Sequence, residues 1–201
     1  MLRPTREYKK SKPHRDARLF VIIAEGDRED QYFTYFNEIN PRIRVAIVPR
    51  DGGKTAPKFF LERVDSFRKS GEWSADDKDE LWFICDVDKW VRNQIDELFQ
   101  ICETEENWNL AISNPCFEVW LHHHSGGLPD NGESCGELKT LLPTKKAGQF
   151  NINAFCLLIE EAFENARNAD KHPNHYFPER MQTKVYKLAN NMLALLGENW
   201  K

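Results

Sequence analysis

The sequence predicts an α/β fold: a mostly parallel four-stranded sheet flanked by helices, followed by a helical C-terminal extension. Three observations carry this. Short apolar, β-branched runs alternate with segments of helical periodicity through residues 18–124, the pattern of parallel βαβ units. Three of those runs end on polar groups: LFVIIAEG on Glu25, LWFICDVD on Asp86 and Asp88, and LAISNPCFE on Asn114 and Glu118. After residue 125 only helical patterns remain.

The elements follow in order. RLFVIIA (18–24) is a buried strand by run length and β-branching. Tyr32, Phe33, Phe36 and Ile39 recur at helical spacing, with Asp27 as candidate cap and Pro41 as stop. IRVAIV (43–48) is the second strand, and PRDGGKT turns the chain into a helix over 55–69. A polar loop (72–79) leads to ELWFIC, the third strand. Ile95, Leu98, Phe99 and Cys102 mark one face of a helix over 91–102, and NLAIS is the fourth strand. Asn114-Pro115 opens a further helix, since proline suits a first helical turn. A Gly-rich loop (125–134) precedes helices near 134–141, 151–168 and 179–196, the last two separated by the loop KHPNHYFPER.

Three parts result: a basic N-terminal arm (1–17), an α/β core (18–124) and a helical extension packed on it (125–201). The arm holds Arg3, Arg6, Lys9, Lys10, Lys12 and Arg15 against Glu7 and Asp16. It either lies along phosphates or is a solvated tail. The chain's net charge is −4, so any nucleic-acid contact requires positive charge concentrated locally. The longest apolar run, LFVIIA (19–24), is too short to span a membrane, and the polar, basic N-terminus lacks a secretory signal. Five irregularly spaced cysteines, mostly in apolar surroundings, read as reduced thiols of a cytoplasmic protein.

Functional residues of open α/β sheets gather beyond the carboxyl ends of parallel strands. Carboxylates from separate strands would meet there and repel one another unless a cation neutralised them. Oxygen ligands point to Mg²⁺ or Mn²⁺, and such ions act on phosphate esters. Side chains alternate along a strand, so Asp86 and Asp88, two apart, point the same way and both could reach one ion. Glu25 is either a site carboxylate or a helix-start acid. Asn114 caps a helix or orients substrate, and Glu118 pairs with a base or extends the acidic set. Gly53-Lys54-Thr55 lacks the earlier glycine of a nucleotide-binding P-loop, where Val48 stands, but Lys54 at a helix start could hold a phosphate. Consecutive His122, His123 and His124 point in different directions and cannot chelate as a unit. Lys184 and Lys187 read as a solvated helix face.

Together, AEGDREDQYF, ICDVD, SNPCFEVWL and the late TKVYKL resemble the RloB-like family over roughly residues 17–190. The resemblance implies a Toprim-like core, a metal-dependent catalytic fold. Glu25, Asp86 and Asp88 would be its catalytic and metal-binding residues, while Asn114 and Glu118 match the family's SNPCFEVWL segment and, with Lys54 from the glycine-rich turn, are the candidate substrate contacts. The implied activity is Mg²⁺-dependent (or Mn²⁺-dependent) cleavage of DNA or RNA in bacterial antiphage defence or abortive infection. A non-catalytic regulatory or effector-binding subunit acting through a partner ATPase is the alternative.

Overall fold

The computed structural model describes residues 17–50, 53–71, 73, 78–88, 90–126, 134–142 and 151–197. The basic arm through residue 16 and residues 51–52 of the glycine-rich turn lie outside the described residues.

Strands β1 (Arg18–Ile23) and β3 (Glu80–Asp86) form the centre of the sheet. Strand β2 (Ile43–Ile47) pairs with β1, and β4 (Trp108–Asn114) with β3, all in parallel. Side chains alternate across a strand, so each central strand feeds two cores. Phe20, Ile22, Trp82, Ile84 and Ala111 face one side, against Tyr32, Phe36, Phe117 and Trp120. Val21, Ile23, Leu81, Phe83, Cys85 and Ile112 face the other. The second layer is α3 (Phe60–Lys69) and α4 (Arg92–Thr104), which contribute Phe60, Val64, Ile95 and Leu98. The first layer holds α1 (Asp27–Thr34), α2 (Phe36–Ile39) and α5 (Glu118–His123). It is completed by α7 (Ile152–Cys156), α8 (Ile159–Ala169) and α9 (Val185–Leu196). Helix α6 (Cys135–Leu141) sits on α5 through a small cluster of Cys116, Val119, Leu138 and Met181.

The α/β class and the mostly parallel sheet agree with the sequence, but the sheet has five strands rather than four. Strand β5 (Gln182–Thr183) adds antiparallel to β4. Its two residues are too few for periodicity to register, and the sequence reads them as helix. Backbone bonds from Met181 N to Asn114 O and from Lys184 N to Ile112 O hold this corner, and α9 begins only at Val185.

Other boundaries also shift. The first helix breaks at Tyr35 and the helix expected over 151–168 breaks at residues 157–158, neither at a glycine or proline. Residues 57–59 form a 3₁₀ turn before α3. Asn114-Pro115 is a cis peptide, and α5 starts at Glu118, so Pro115 is not in a first helical turn. The cap of α1 is Gly26 and Asp27 is already helical.

Lys184 corrects another expectation, because it is buried rather than on a solvated face. Its ammonium lies 2.5 Å from Asp170 Oδ2 and donates to His172 O at 2.8 Å. Tyr186 OH and His172 N also donate to the Asp170 carboxylate. These bonds hold Asp170 below the usual carboxylate range despite its burial, which acts the other way and is the largest influence. The three histidines likewise pack inside: His122 bonds Leu138 O, and His124 bonds Tyr32 OH and Trp120 O.

Breaking a buried ion pair by removing one partner leaves the other charge uncompensated. Lys184→Ala should therefore lower unfolding free energy by about 3–5 kcal/mol in urea titration. Asp170→Asn with Lys184→Met together should cost less than Lys184→Ala alone. A single-variant loss below about 1 kcal/mol would contradict the assigned pair.

A carboxylate cluster at the carboxyl edge of the sheet

Asp86 ends β3, a strand buried along its whole length. The residue as a whole is 9% exposed, and its buried Oδ1 has no hydrogen-bond partner among the described residues. Burial, then the carboxylates of Glu29, Glu25, Glu118 and Asp88, push its pKa well above the ordinary value. Glu25 follows β1 across the sheet. Its Oε1 accepts from Asp86 N at 3.0 Å, and its Oε2 accepts from Trp90 Nε1. Both strand ends are thus joined by one carboxylate.

Glu29 lies one residue-pair into α1, where the helix dipole favours an acid. It is buried, and burial followed by Glu118 and Asp30 raises its pKa from about 4.5 to about 7. Gly26 gives the Glu29 carboxylate its place by leaving space, not through an unusual backbone, and a side chain here would make that carboxylate shift. Its φ is −130°, ordinary extended geometry, but a Cβ would stand 2.6 Å from Glu29 Oε2.

Glu118 is also buried, and its Oε1 lies 2.5 Å from Arg28 Nη1 and 3.8 Å from Lys139 Nζ. Glu25, Glu29, Asp86, Glu118, Arg28 and Lys139 all line one cleft of about 360 Å³.

The position of this cleft rests on a residue that the sequence does not flag. Arg63 of α3 is buried, and its guanidinium donates to Ala24 O, Val48 O and Pro49 O. It ties together the chain leaving β1 and the chain leaving β2, immediately before Glu25.

The structure brings together Glu25, Asp86 and Glu118 from three strand ends. Asp88 is exposed and does not line the cleft, since β3 stops at Asp86, but it is near enough for its charge to act on Asp86. Lys54 pairs with Glu62 and does not line the cleft, although Thr55 does. Asn114 Nδ2 donates to Pro178 O at 3.1 Å, and Asn114 borders a different cleft. It does not cap α5, whose N-cap is Phe117. Of the acids next to Glu25 that the sequence offers, Asp27, Glu29 and Asp30, it is Glu29 that is buried in the cleft beside Asp86. Sequence reasoning missed Arg28 and Lys139: Arg28 lies within the AEGDREDQYF segment, while Lys139 comes from a helix remote in sequence.

The donor set suits a hard cation in chemistry, since it consists of carboxylate oxygens around an unpartnered, buried Asp86 oxygen. Among the described residues, however, no three histidine, cysteine or acidic side chains stand ready to hold one metal ion together.

An α/β protein with buried carboxylates gathered beyond a parallel sheet is the class that fold and site define. The chain belongs to the RloB-like protein family, whose model matches residues 20–192. No curated protein and no solved structure matched it. No helix among the described residues is long and apolar enough to cross a membrane.

A carboxyl whose folded pKa lies above its unfolded value binds more protons when folded. Its contribution to stability is full below the unfolded value and is lost as pH rises through the folded value. Glu29 sets the window between about 4.5 and 7, and Asp86 acts in the same direction. In chelator, the melting temperature should fall as pH rises from about 5 to 8, beyond what Glu29→Gln shows. Asp86→Asn should be more stable than the wild-type chain at pH 8, because it removes the buried charge and its repulsion. Loss of stability in that variant at pH 8 would contradict the assigned repulsion.

Proposed function

We propose that this chain is a metal-dependent nuclease that cleaves phosphodiester bonds of DNA or RNA, with a Toprim-like core, acting in the bacterial cytoplasm in antiphage defence. The observation that carries the reading is the pairing of charges in one cleft: an acidic group around Asp86, with Arg28 and Lys139 at its side. A phosphodiester requires both. Cations hold the anionic substrate, and carboxylates hold a metal ion or a proton.

Asp86 would be the central ligand of Mg²⁺ or Mn²⁺, with Glu25 and Glu29 beside it and Asp88 at the exposed margin. The ion would supply charge neutralisation at the phosphate. Arg28 and Lys139 would exchange Glu118 for phosphate oxygens, which guanidinium groups grip well. Glu29, with a pKa near 7, is suited to hold or release a proton at neutral pH. Trp90 would keep Glu25 oriented through its Nε1 bond.

A second reading also has an observation behind it. Arg28 occupies Glu118, Glu25 is held by Trp90 and a backbone amide, and three ligands do not converge among the described residues. A regulatory or effector-binding subunit working through a partner ATPase would fit such a site.

Purified protein incubated with plasmid DNA and with transfer RNA separates the two. The nuclease reading expects cleavage with Mg²⁺ or Mn²⁺ and none in chelator. Asp86→Asn should lose at least about 100-fold in rate, and Arg28→Ala about 10-fold or more. Undiminished cleavage by Asp86→Asn would remove the site from catalysis, and no cleavage by the wild-type chain on any substrate would favour the regulatory reading.

A further inference from the structure

A second cleft is separate from the acidic one. It measures about 920 Å³, within the range of ligand sites, and is formed by the loop after α8 together with Asn114 at the end of β4. Register places it on the same edge of the sheet as the carboxylates: Asp86 pairs with Ser113, the residue before Asn114.

The loop has no helix or strand, yet it is anchored at both ends. Asp170, at its start, holds the buried Lys184 and Tyr186. Near its finish, Pro178 O accepts from Asn114 Nδ2. A loop fixed in this way that leaves a cleft open, rather than filling it, has the character of a binding loop on a rigid scaffold.

Its lining has specific chemistry, backed by a stack outside the cleft: Phe99 of α4 and Tyr176 lie with centroids 3.9 Å apart and planes 11° from parallel. His175 continues the column, 5.2 Å from Tyr176 at 22°. Its ring is held by Nδ1, which meets the Phe177 backbone, and His175 is exposed and lines the cleft. Arg92 lies over Phe177, 3.6 Å from the ring centroid, which stiffens the platform from behind. Asn114 and Asn174 bring amide groups to the cleft, and Lys171 brings a cation to its rim, where it pairs with Glu179 of the same lining at 3.0 Å.

We propose that this cleft is a nucleobase subsite for single-stranded nucleic acid, in which an unpaired base stacks on His175, with the Asn114 and Asn174 amides at its edge and Lys171 exchanging Glu179 for the neighbouring phosphate. Every base has a π-face, so an aromatic column accepts any of them, whereas amides can bond their polar edges. A base inside a duplex cannot reach such a platform, so the substrate strand must be unpaired or locally opened. The proposal deepens the nuclease reading and rests on it for the position of the scissile phosphate, in the adjacent acidic cleft.

Binding and cleavage are measured apart. Fluorescence anisotropy in chelator, with the full chain, compares a labelled single strand with a hairpin duplex of the same sequence. Wild-type protein should prefer the single strand. His175→Ala should weaken single-strand binding about 5- to 100-fold, the range of one lost stacking contact, and leave duplex binding unchanged. His175→Phe keeps a ring but not the Nδ1 bond, and should restore most of the affinity; this separates stacking from tethering of the loop. Equal affinity of His175→Ala and wild type would overturn the subsite, as would equal losses on single strand and duplex, failure of His175→Phe to recover, or no oligonucleotide binding at all. If single-strand binding depends on His175 but no metal produces cleavage, the subsite stands and the nuclease reading falls.

Discussion

A charge buried at the end of the central strand sets the terms for this structure. Asp86 closes β3, where both faces of the sheet are covered, and its Oδ1 has no partner among the described residues. A carboxylate in that position is costly to ionise, and each neighbouring carboxylate adds to the cost. The surroundings do not remove the problem. They hold it in place. Glu25 accepts the Asp86 amide, Glu29 is folded over Gly26, and Glu118 is kept near by Arg28 and Lys139. A fold selected only for stability would place an apolar side chain at this strand end. Retaining several acids around one buried oxygen makes sense if something positive is bound there in use.

Holding those groups in register falls to residues remote from the cleft. Arg63 gathers three backbone carbonyls from the chain leaving β1 and β2, and so fixes the approach to Glu25. On the far side, the buried Asp170–Lys184 pair fixes the corner where β5 meets β4. Both arrangements bury charge only with its hydrogen bonds satisfied, unlike Asp86. The contrast separates structural polar groups from the group left unsatisfied at the site.

Much of the fold was legible because it rests on periodicity. The central strands are apolar runs between turns, and their alternation reappears as two distinct cores. Glu25, Asp86 and Glu118 were legible because each follows such a run. What escaped depends on tertiary structure. Strand β5 is two residues long and exists through its bonds to β4. Lys184 reads as a solvated lysine until Asp170 is folded against it. Lys139 reaches Glu118 only because α6 packs on α5. Lys54 shows the converse: its place after glycines suggested phosphate binding, while local geometry pairs it with Glu62. Asp86 and Asp88 differ in burial because β3 ends at Asp86, so the alternation that puts residues two apart on one face does not carry on to Asp88.

The central claim is that the carboxylates around Asp86 are kept for a divalent cation. Isothermal titration of the full chain with Mn²⁺ at pH 8 tests it most directly, with Asp86→Asn and an exposed-acid variant, Glu103→Gln, alongside. The account predicts saturable binding to wild type and to Glu103→Gln, and its loss in Asp86→Asn. Equal binding by all three, or none by the wild-type chain, would contradict it.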